Sequence, residues 1–168
     1  MVKRCAWCAD DPLLIDYHDH EWGVRTTDDR ELFEYLILEL FQSGLSWRTI
    51  LHKREALRTA FDGFDFHRIG DYDSEKVDVL MHNAAIIRNR RKIEATIKNA
   101  NVCQNLIAEH GSFSNYLAGL PESSEEKKQA LSRVFYHVGP TVAESFCQAA
   151  GLIPVPHEAQ CFLYKKEF

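Results

Sequence analysis

Two pairs of metal-binding residue types lie at opposite ends of this 168-residue chain, and they constrain its fold more than any other feature. Cys5 and His18 lie near the start, and His157 and Cys161 lie near the end. Together they would make a closed tetrahedral set for Zn²⁺, so that a structural metal would clip the two ends of the chain together. The spacing alone leaves a second interpretation open, in which the cysteines are ordinary thiols and the histidines are unrelated.

The chain between these pairs has the periodicity of helices. Apolar residues recur at helical spacing between Asp28, a candidate cap, and Phe41, and Gly44 can end that helix. Ser46 can cap the next helix, and a long helix is predicted over about 89–110. A hydrophobic content of 45% supports one sizeable core. We therefore predict an all-α fold with a single domain over residues 1–168.

Charge and composition restrict the function classes. No run approaches the roughly 18 apolar residues of a membrane span, and the start lacks the apolar stretch of a signal peptide. We therefore expect no membrane association, a cytoplasmic location, and five cysteines that are thiols or ligands. The net charge of −5 does not favour nucleic acid over the whole chain. Four cations concentrated in the stretch Arg88-Asn89-Arg90-Arg91-Lys92 are either a DNA-binding patch or an ordinary solvated helix face.

A tight turn between the last two predicted helices carries the sequence Phe135-Tyr136-His137-Val138-Gly139-Pro140. A helix, a turn with an apolar residue, Gly and Pro, and a second helix resemble the helix-hairpin-helix element of DNA repair proteins. A glycine turn lets backbone N–H groups approach a phosphate, and the following helix N-terminus favours that anion. His137 stands where a second glycine is usual, so a simple interhelical turn remains the alternative.

Several blocks of the chain resemble the 3-methyladenine DNA glycosylase I family. These blocks are Tyr17-His18-Asp19-His20-Glu21-Trp22-Gly23, Gly44-Leu45-Ser46-Trp47, Ile86-Ile87-Arg88-Asn89-Arg90 and the terminal His157-x-x-x-Cys161. The match runs from about Lys3 to Cys161. It implies a helix-hairpin-helix glycosylase fold with one structural zinc ion per chain, bound by Cys5, His18, His157 and Cys161.

The resemblance also implies a reaction, the hydrolysis of the N-glycosidic bond to 3-methyladenine in alkylated double-stranded DNA. Such enzymes extrude the damaged nucleotide into a pocket. Alkylation at N3 makes the purine cationic, so it departs as a neutral base and needs no strong general acid. We expect a monomer whose partners are alkylated DNA and free 3-methyladenine, with water as the nucleophile.

The matching positions imply roles for individual residues. The aromatic rings of the base pocket are those of Trp7, Tyr17 and Trp47. Glu39 is the base-recognising carboxylate, and we assign catalysis to it as well. Without the resemblance, the periodicity would place Glu39 on the wet side of an amphipathic helix. The residues predicted to contact DNA are Leu45, as the wedge that fills the gap left by the flipped base, with Ser46, Arg88 and Gly139.

Departures from the family pattern support an alternative function. Leu14 stands where a pocket tyrosine is usual, Leu40 replaces a glycine and is expected to add bulk beside the pocket, and the segment 116–128 is short. No aspartate follows Asp78, so the catalytic aspartate of the wider superfamily has no counterpart. The alternative is a catalytically weak or inactive homologue that binds DNA or a modified purine without excising it.

Overall fold

Helices account for all the regular secondary structure in residues 1–165, the part of the chain that the computed structural model describes. This confirms the predicted all-α fold; residues 166–168 of the predicted domain lie outside the described part. The α-helices are α1 (Pro12–His20), α2 (Asp29–Gln42), α3 (Trp47–Ala60), α4 (Phe66–Ile69), α5 (Ser74–Met81), α6 (Arg90–His110), α7 (Phe113–Ala118), α8 (Ser124–Val134) and α9 (Pro140–Ala149). Short 3₁₀ turns cover Ala6–Cys8 and Asp62–Phe64. None of the helices described could cross a membrane.

Helix α2 is the centre of the fold. Every residue from Leu32 to Phe41 is buried, including Glu34 and Glu39, so this stretch has no side that faces water. Helices α3, α6, α7 and α9 pack around it. A helix that is covered on all sides must satisfy or neutralise any carboxylate it carries, because burying an unpaired charge is costly. The two glutamates of α2 therefore need separate explanations.

The helix starts predicted at Asp28, Ser46 and Asn89 are present, and each has a side-chain cap. Asp28 accepts a hydrogen bond from Glu31 N at 2.9 Å, Ser46 accepts from Thr49 N at 3.2 Å, and Asn89 caps α6. Helix α1 was not predicted. Its signal was available, since Asp11 caps it and a proline occupies its first turn.

The two ends of the chain lie side by side, as a metal clip would require. Phe162 N donates a hydrogen bond to Lys3 O at 2.9 Å, and Glu158 N lies 3.3 Å from Cys5 Sγ. Residues 158–162 therefore pack against the segment that precedes α1. This contact places the terminal histidine and cysteine beside those near the start.

Candidate active site and metal-ligand group

The four predicted metal ligands form one group. One donor atom from each of Cys5, His18, His157 and Cys161 lies within 4.8 Å of the others, and all but His157 are buried. Cys161 Sγ lies 3.5 Å from His18 Nε2 and 3.6 Å from His157 Nδ1, and Cys5 Sγ also lies 3.6 Å from His157 Nδ1. The group can hold a metal ion.

A second layer of polar groups orients one ligand of this group. His18 Nδ1 lies 2.8 Å from Asp19 Oδ1, and Arg4 donates to the same carboxylate at 2.7–2.9 Å. With the Nδ1 proton held by Asp19, the Nε2 lone pair of His18 is directed toward the thiol of Cys161. Carboxylate–histidine pairs of this kind are typical behind metal-bound imidazoles.

A cavity of about 310 Å³ opens beside the metal-ligand group. That volume is at the lower end of the range for small-ligand pockets, which suits a single base. All four predicted pocket residues line this cavity: Trp7, Tyr17, Glu39 and Trp47. Its lining residues are Trp7, Leu14, Tyr17, Trp22, Glu39, Gln42, Ser46, Trp47, Arg48, Ser145 and Gln148.

The aromatic walls of this pocket are joined to the metal-ligand group. The rings of Tyr17 and Trp47 lie 5.2 Å apart, and those of Trp7 and Trp22 lie 5.3 Å apart. Trp7 also packs 5.4 Å from His18, and Trp22 packs 5.0 Å from His157. The same histidines that can bind a metal thus support two walls of the pocket.

Glu39 is the buried acid of the pocket. Its side chain projects from α2, and the residue is 6% exposed. Burial raises the pKa of Glu39 from its usual 4.5 to about 8. The interpretation of this residue as a solvated helix glutamate is therefore wrong, because packing covers almost all of the residue and its side chain lines the cavity.

The neighbouring buried acid of α2 behaves in the opposite way. Glu34 accepts hydrogen bonds from Arg58 and Arg54. Burial opposes its ionisation, but the hydrogen bonds from Arg58 and Arg54 outweigh that effect and lower the pKa of Glu34. Glu34 is thus a paired structural carboxylate, while the acid that faces the cavity is left without such a partner among residues 1–165.

Sequence reasoning missed several polar residues of the pocket. Gln42 follows Glu39 by about one turn of α2, and Arg48 is the second residue of α3. Ser145 and Gln148 reach the pocket from α9, one turn apart on that helix. No local pattern marks this last pair, because only the packing of α9 against α2 brings them to the cavity.

Two leucines depart from the family pattern at or beside the pocket. Leu14 does line the cavity. Leu40 is not among the lining residues; it is fully buried in the main core. Successive residues of a helix point about 100° apart, so the residue next to Glu39 faces a different neighbour. The expected crowding by Leu40 is therefore wrong.

The residues predicted to contact DNA lie on neighbouring surface segments. Leu45 is 37% exposed at the tip of the turn 42–46, and Ser46 is exposed beside it. The hairpin turn 135–139 separates α8 from α9 and shares a groove with Ser43. Gly139 is exposed within it, and Arg88 is exposed just before α6. The structure thus places the turn after α2 beside the turn between α8 and α9.

The hairpin turn keeps a glycine-like conformation at its non-glycine position. His137 has φ of +59°, which lies in the left-handed region that glycine adopts without strain. Asn99 of α6 holds the turn: its amide donates to Tyr136 O at 3.0 Å, and Tyr136 N donates to its carbonyl oxygen at 2.7 Å. His137 therefore adopts the left-handed conformation that a glycine would favour at this position.

The basic stretch before and within α6 is not a uniform basic surface. Arg90 pairs with Asp78 at 2.8 Å and with Glu94 at 3.8 Å. Lys92 is buried. Arg88 is exposed and forms no ion pair with any residue in 1–165. The stretch therefore does not present four free surface cations, because Arg90 is paired and Lys92 is buried.

Comparison with known proteins identifies the family. The family model described as methyladenine glycosylase matches residues 7–132. The chain belongs to the methyladenine glycosylase family. It is 40% identical to the DNA-3-methyladenine glycosylase 1 of Escherichia coli K12, over 97% of both chains. It is also 37% identical to the DNA-3-methyladenine glycosylase of Haemophilus influenzae, over 91% of this chain and 94% of that one.

Solved structures of methyladenine glycosylases have the same fold. A crystal structure of 3-methyladenine DNA glycosylase I superposes with a TM-score of 0.86 at 40% identity, over 97% of this chain and all of that one. A variant of a 3-methyladenine DNA glycosylase I, in complex with 3-methyladenine, superposes with a TM-score of 0.84 at 31% identity, over 98% and 99% of the two chains. The all-α architecture is therefore that of the glycosylases.

Proposed function

We propose that this methyladenine glycosylase hydrolyses the N-glycosidic bond of 3-methyladenine in alkylated DNA, as a step of base excision repair. The observation that supports it most is the buried acid of an aromatic cavity, Glu39, which lines the same cavity as Tyr17 and Trp47. Aromatic faces attract a cationic base by roughly 0.5–2 kcal/mol. The relatives at 37–40% identity carry the name of this activity.

Glu39 serves recognition through its protonation state. In the free protein near neutral pH, burial keeps much of its carboxyl protonated. A cationic 3-methylated purine in the cavity favours the ionised form, so binding the damaged nucleotide releases a proton. The resulting carboxylate accepts from the N–H groups on the edge of the base, and its charge stabilises the cationic nucleotide that the pocket holds. Glu39 thus contributes to recognition through its hydrogen bonds to the base and to catalysis through its negative charge.

Water is the nucleophile in this proposal. A lyase would attack with an amine near the hairpin, and no lysine occurs between Ser132 and Tyr164. The N3-methylated base leaves as a neutral purine, so the reaction does not need the aspartate that other glycosylases of the wider superfamily use. The protein would flip the nucleotide, bind the cationic base in the pocket, and admit one water molecule to the sugar.

The metal bound by the four-residue group is proposed to be one structural zinc ion. Ideal tetrahedral zinc with Zn–S near 2.3 Å and Zn–N near 2.0–2.1 Å separates sulfur and nitrogen ligands by about 3.5–3.6 Å. The sulfur–nitrogen distances of 3.5–3.6 Å in the group fit that geometry. Two thiolates and two imidazoles leave no open position, so the zinc would stabilise the fold and supply no chemistry to the base.

DNA is proposed to lie across the turn 42–46, the hairpin 135–139 and the start of α6. Leu45 would enter the duplex as the wedge, with Ser46 beside it. The backbone N–H groups around Gly139 would bind a phosphate at the N-terminus of α9. Arg88 would add a phosphate contact. The proposed complex is monomeric, with the protein in the cytoplasm.

Salt dependence tests this interface with a matched pair of arginines. Replacing exposed Arg88 by Gln should weaken binding to all duplex sequences alike and reduce the slope of log affinity against log salt by about 1. Replacing Arg90 by Gln should change both quantities less, because Asp78 and Glu94 already neutralise it. Fluorescence anisotropy over a salt series measures both. Equal effects of the two substitutions, or an affinity that does not depend on salt, would contradict the interface.

A binding module without excision activity is the second candidate, and Leu14 in the pocket wall supports it. Two measurements on the same preparation separate the candidates. An enzyme releases 3-methyladenine from alkylated DNA and also binds the free base. A binding module binds the free base, observed as a change in tryptophan fluorescence, but releases none from DNA.

A further inference from the structure

A lysine in the basic stretch points into the protein instead of toward DNA. Lys92 is 5% exposed, and its Nζ donates hydrogen bonds to Phe41 O and Ser43 O, each at 2.7 Å. An ammonium in this position is shielded from the solvent side where a phosphate would lie. The function of Lys92 is therefore inferred from the two carbonyl groups that it binds.

The two carbonyl groups belong to the end of α2 and to the turn that follows it. The last carbonyls of a helix lack partners within the helix and carry partial negative charge, so a cation placed there is favourable. Asn89 caps α6 by accepting from Lys92 N at 3.1 Å, which fixes the first turn of α6. Lys92 thus ties the first turn of α6 to the last turn of α2.

The turn 42–46 is also stabilised by hydrogen bonds between its first residue, Gln42, and Leu45. Gln42 Nε2 donates to Leu45 O at 3.2 Å, and Leu45 N donates to Gln42 O at 2.7 Å. Gly44 has φ of +81°, so the backbone reverses sharply just after Ser43. The direction of the Ser43 carbonyl, which Lys92 holds, therefore determines where the chain carries Leu45.

We propose that Lys92 is a positioning residue for base flipping, which fixes the wedge Leu45 relative to Glu39 in the pocket. This inference rests on the proposed glycosylase function. Glu39 lies less than one helical turn before Phe41, and Leu45 lies four residues after Phe41. A wedge on an exposed turn must meet the duplex while the base enters the pocket, and a misplacement of about 1 Å can reduce a rate about 100-fold.

The test compares Lys92 with a buried hydrogen-bonding residue of the same helix. Thr96 is fully buried and its hydroxyl donates to Lys92 O at 2.7 Å, but it makes no hydrogen bond to the turn 42–46. Lys92→Met and Thr96→Val should both lower the melting temperature. At a temperature where both variants are folded, Lys92→Met alone should slow single-turnover release of 3-methyladenine from DNA by about 10–100-fold. Its affinity for free 3-methyladenine should stay within about twofold of wild type.

A double-mutant cycle tests whether Lys92 acts through the wedge. If it does, Lys92→Met combined with Leu45→Ala should slow release no more than the slower single variant, because both remove the same contribution. Lys92→Arg, which can still donate to both carbonyls, should restore part of the rate and serves in place of Lys92→Met if that variant does not fold. The inference is overturned if Lys92→Met slows release no more than Thr96→Val, or if the two losses multiply. A wild-type protein that releases no base overturns the proposed function and this inference with it.

Discussion

Replacing Cys161 by Ser should lower the melting temperature by on the order of 10 °C. Loss of one ligand weakens a metal that joins residues more than 140 positions apart, and a cost of about 3 kcal/mol is expected for the loss of such a site. For a chain of this size each kcal/mol corresponds to roughly 2–4 °C. Excision per folded molecule should fall much less, because the zinc is proposed to contribute no chemistry.

A buried thiol outside the group provides the control. Cys103 is as buried as the ligand thiols but lies in α6, away from the metal-ligand group. A strong chelator should lower the melting temperature of wild type and of Cys103→Ser, and should leave that of Cys161→Ser almost unchanged. Elemental analysis should find one zinc per chain. Protein purified without chelator that contains no zinc would contradict the assignment.

Replacing Glu39 by Gln should change how stability depends on pH. The folded protein keeps a proton on Glu39 up to about pH 8, whereas the unfolded chain releases it near 4.5. Between these values unfolding releases a proton, so this residue's contribution to stability falls by about 1.4 kcal/mol per pH unit as pH rises. The Gln variant lacks this loss, and above pH 8 it should be more stable than wild type.

The second buried glutamate of α2 gives a control of opposite sign. Because its pKa is lowered in the folded protein, Glu34 contributes stability above its unfolded pKa, and that stability is lost as pH falls through the folded pKa. Glu34→Gln should therefore destabilise the protein at neutral pH by removing the buried carboxylate that Arg54 and Arg58 share. Denaturant unfolding of the three proteins from pH 5 to 9 measures the pH slope caused by Glu39 and the loss of stability in Glu34→Gln at neutral pH. Parallel curves for wild type and Glu39→Gln would contradict the buried, proton-retaining Glu39.

The parts of the fold that depend on local sequence could be predicted. Asp28, Ser46 and Asn89 cap their helices through the next three residues, so their signals lie within one turn. The surroundings of Glu39 could not be predicted from periodicity. A period of 3.6 residues places it on the polar side of α2, and only the packing of other helices on that side buries it.

The direction of the basic side chains depends on long-range packing as well. Arg90 and Lys92 belong to one short basic run, yet one pairs with surface acids and the other enters the protein to hold α2. Ser145 and Gln148 reach the pocket only because α9 crosses α2. The sequence shows which residues are cations and amides. Only tertiary packing determines which of them reach the pocket or the proposed DNA-binding surface.

The most direct test of the central claim is the release of 3-methyladenine from methylated duplex DNA, measured by chromatography under single-turnover conditions. Wild type should release the base, and Glu39→Gln should release it about 10–150-fold more slowly, which corresponds to the roughly 1.5–3 kcal/mol of a hydrogen bond to a charged group. Its melting temperature and affinity for DNA should remain near or above those of wild type. Wild type that binds free 3-methyladenine but releases none, or a Glu39→Gln variant as fast as wild type, would contradict the claim that this pocket excises the base through Glu39.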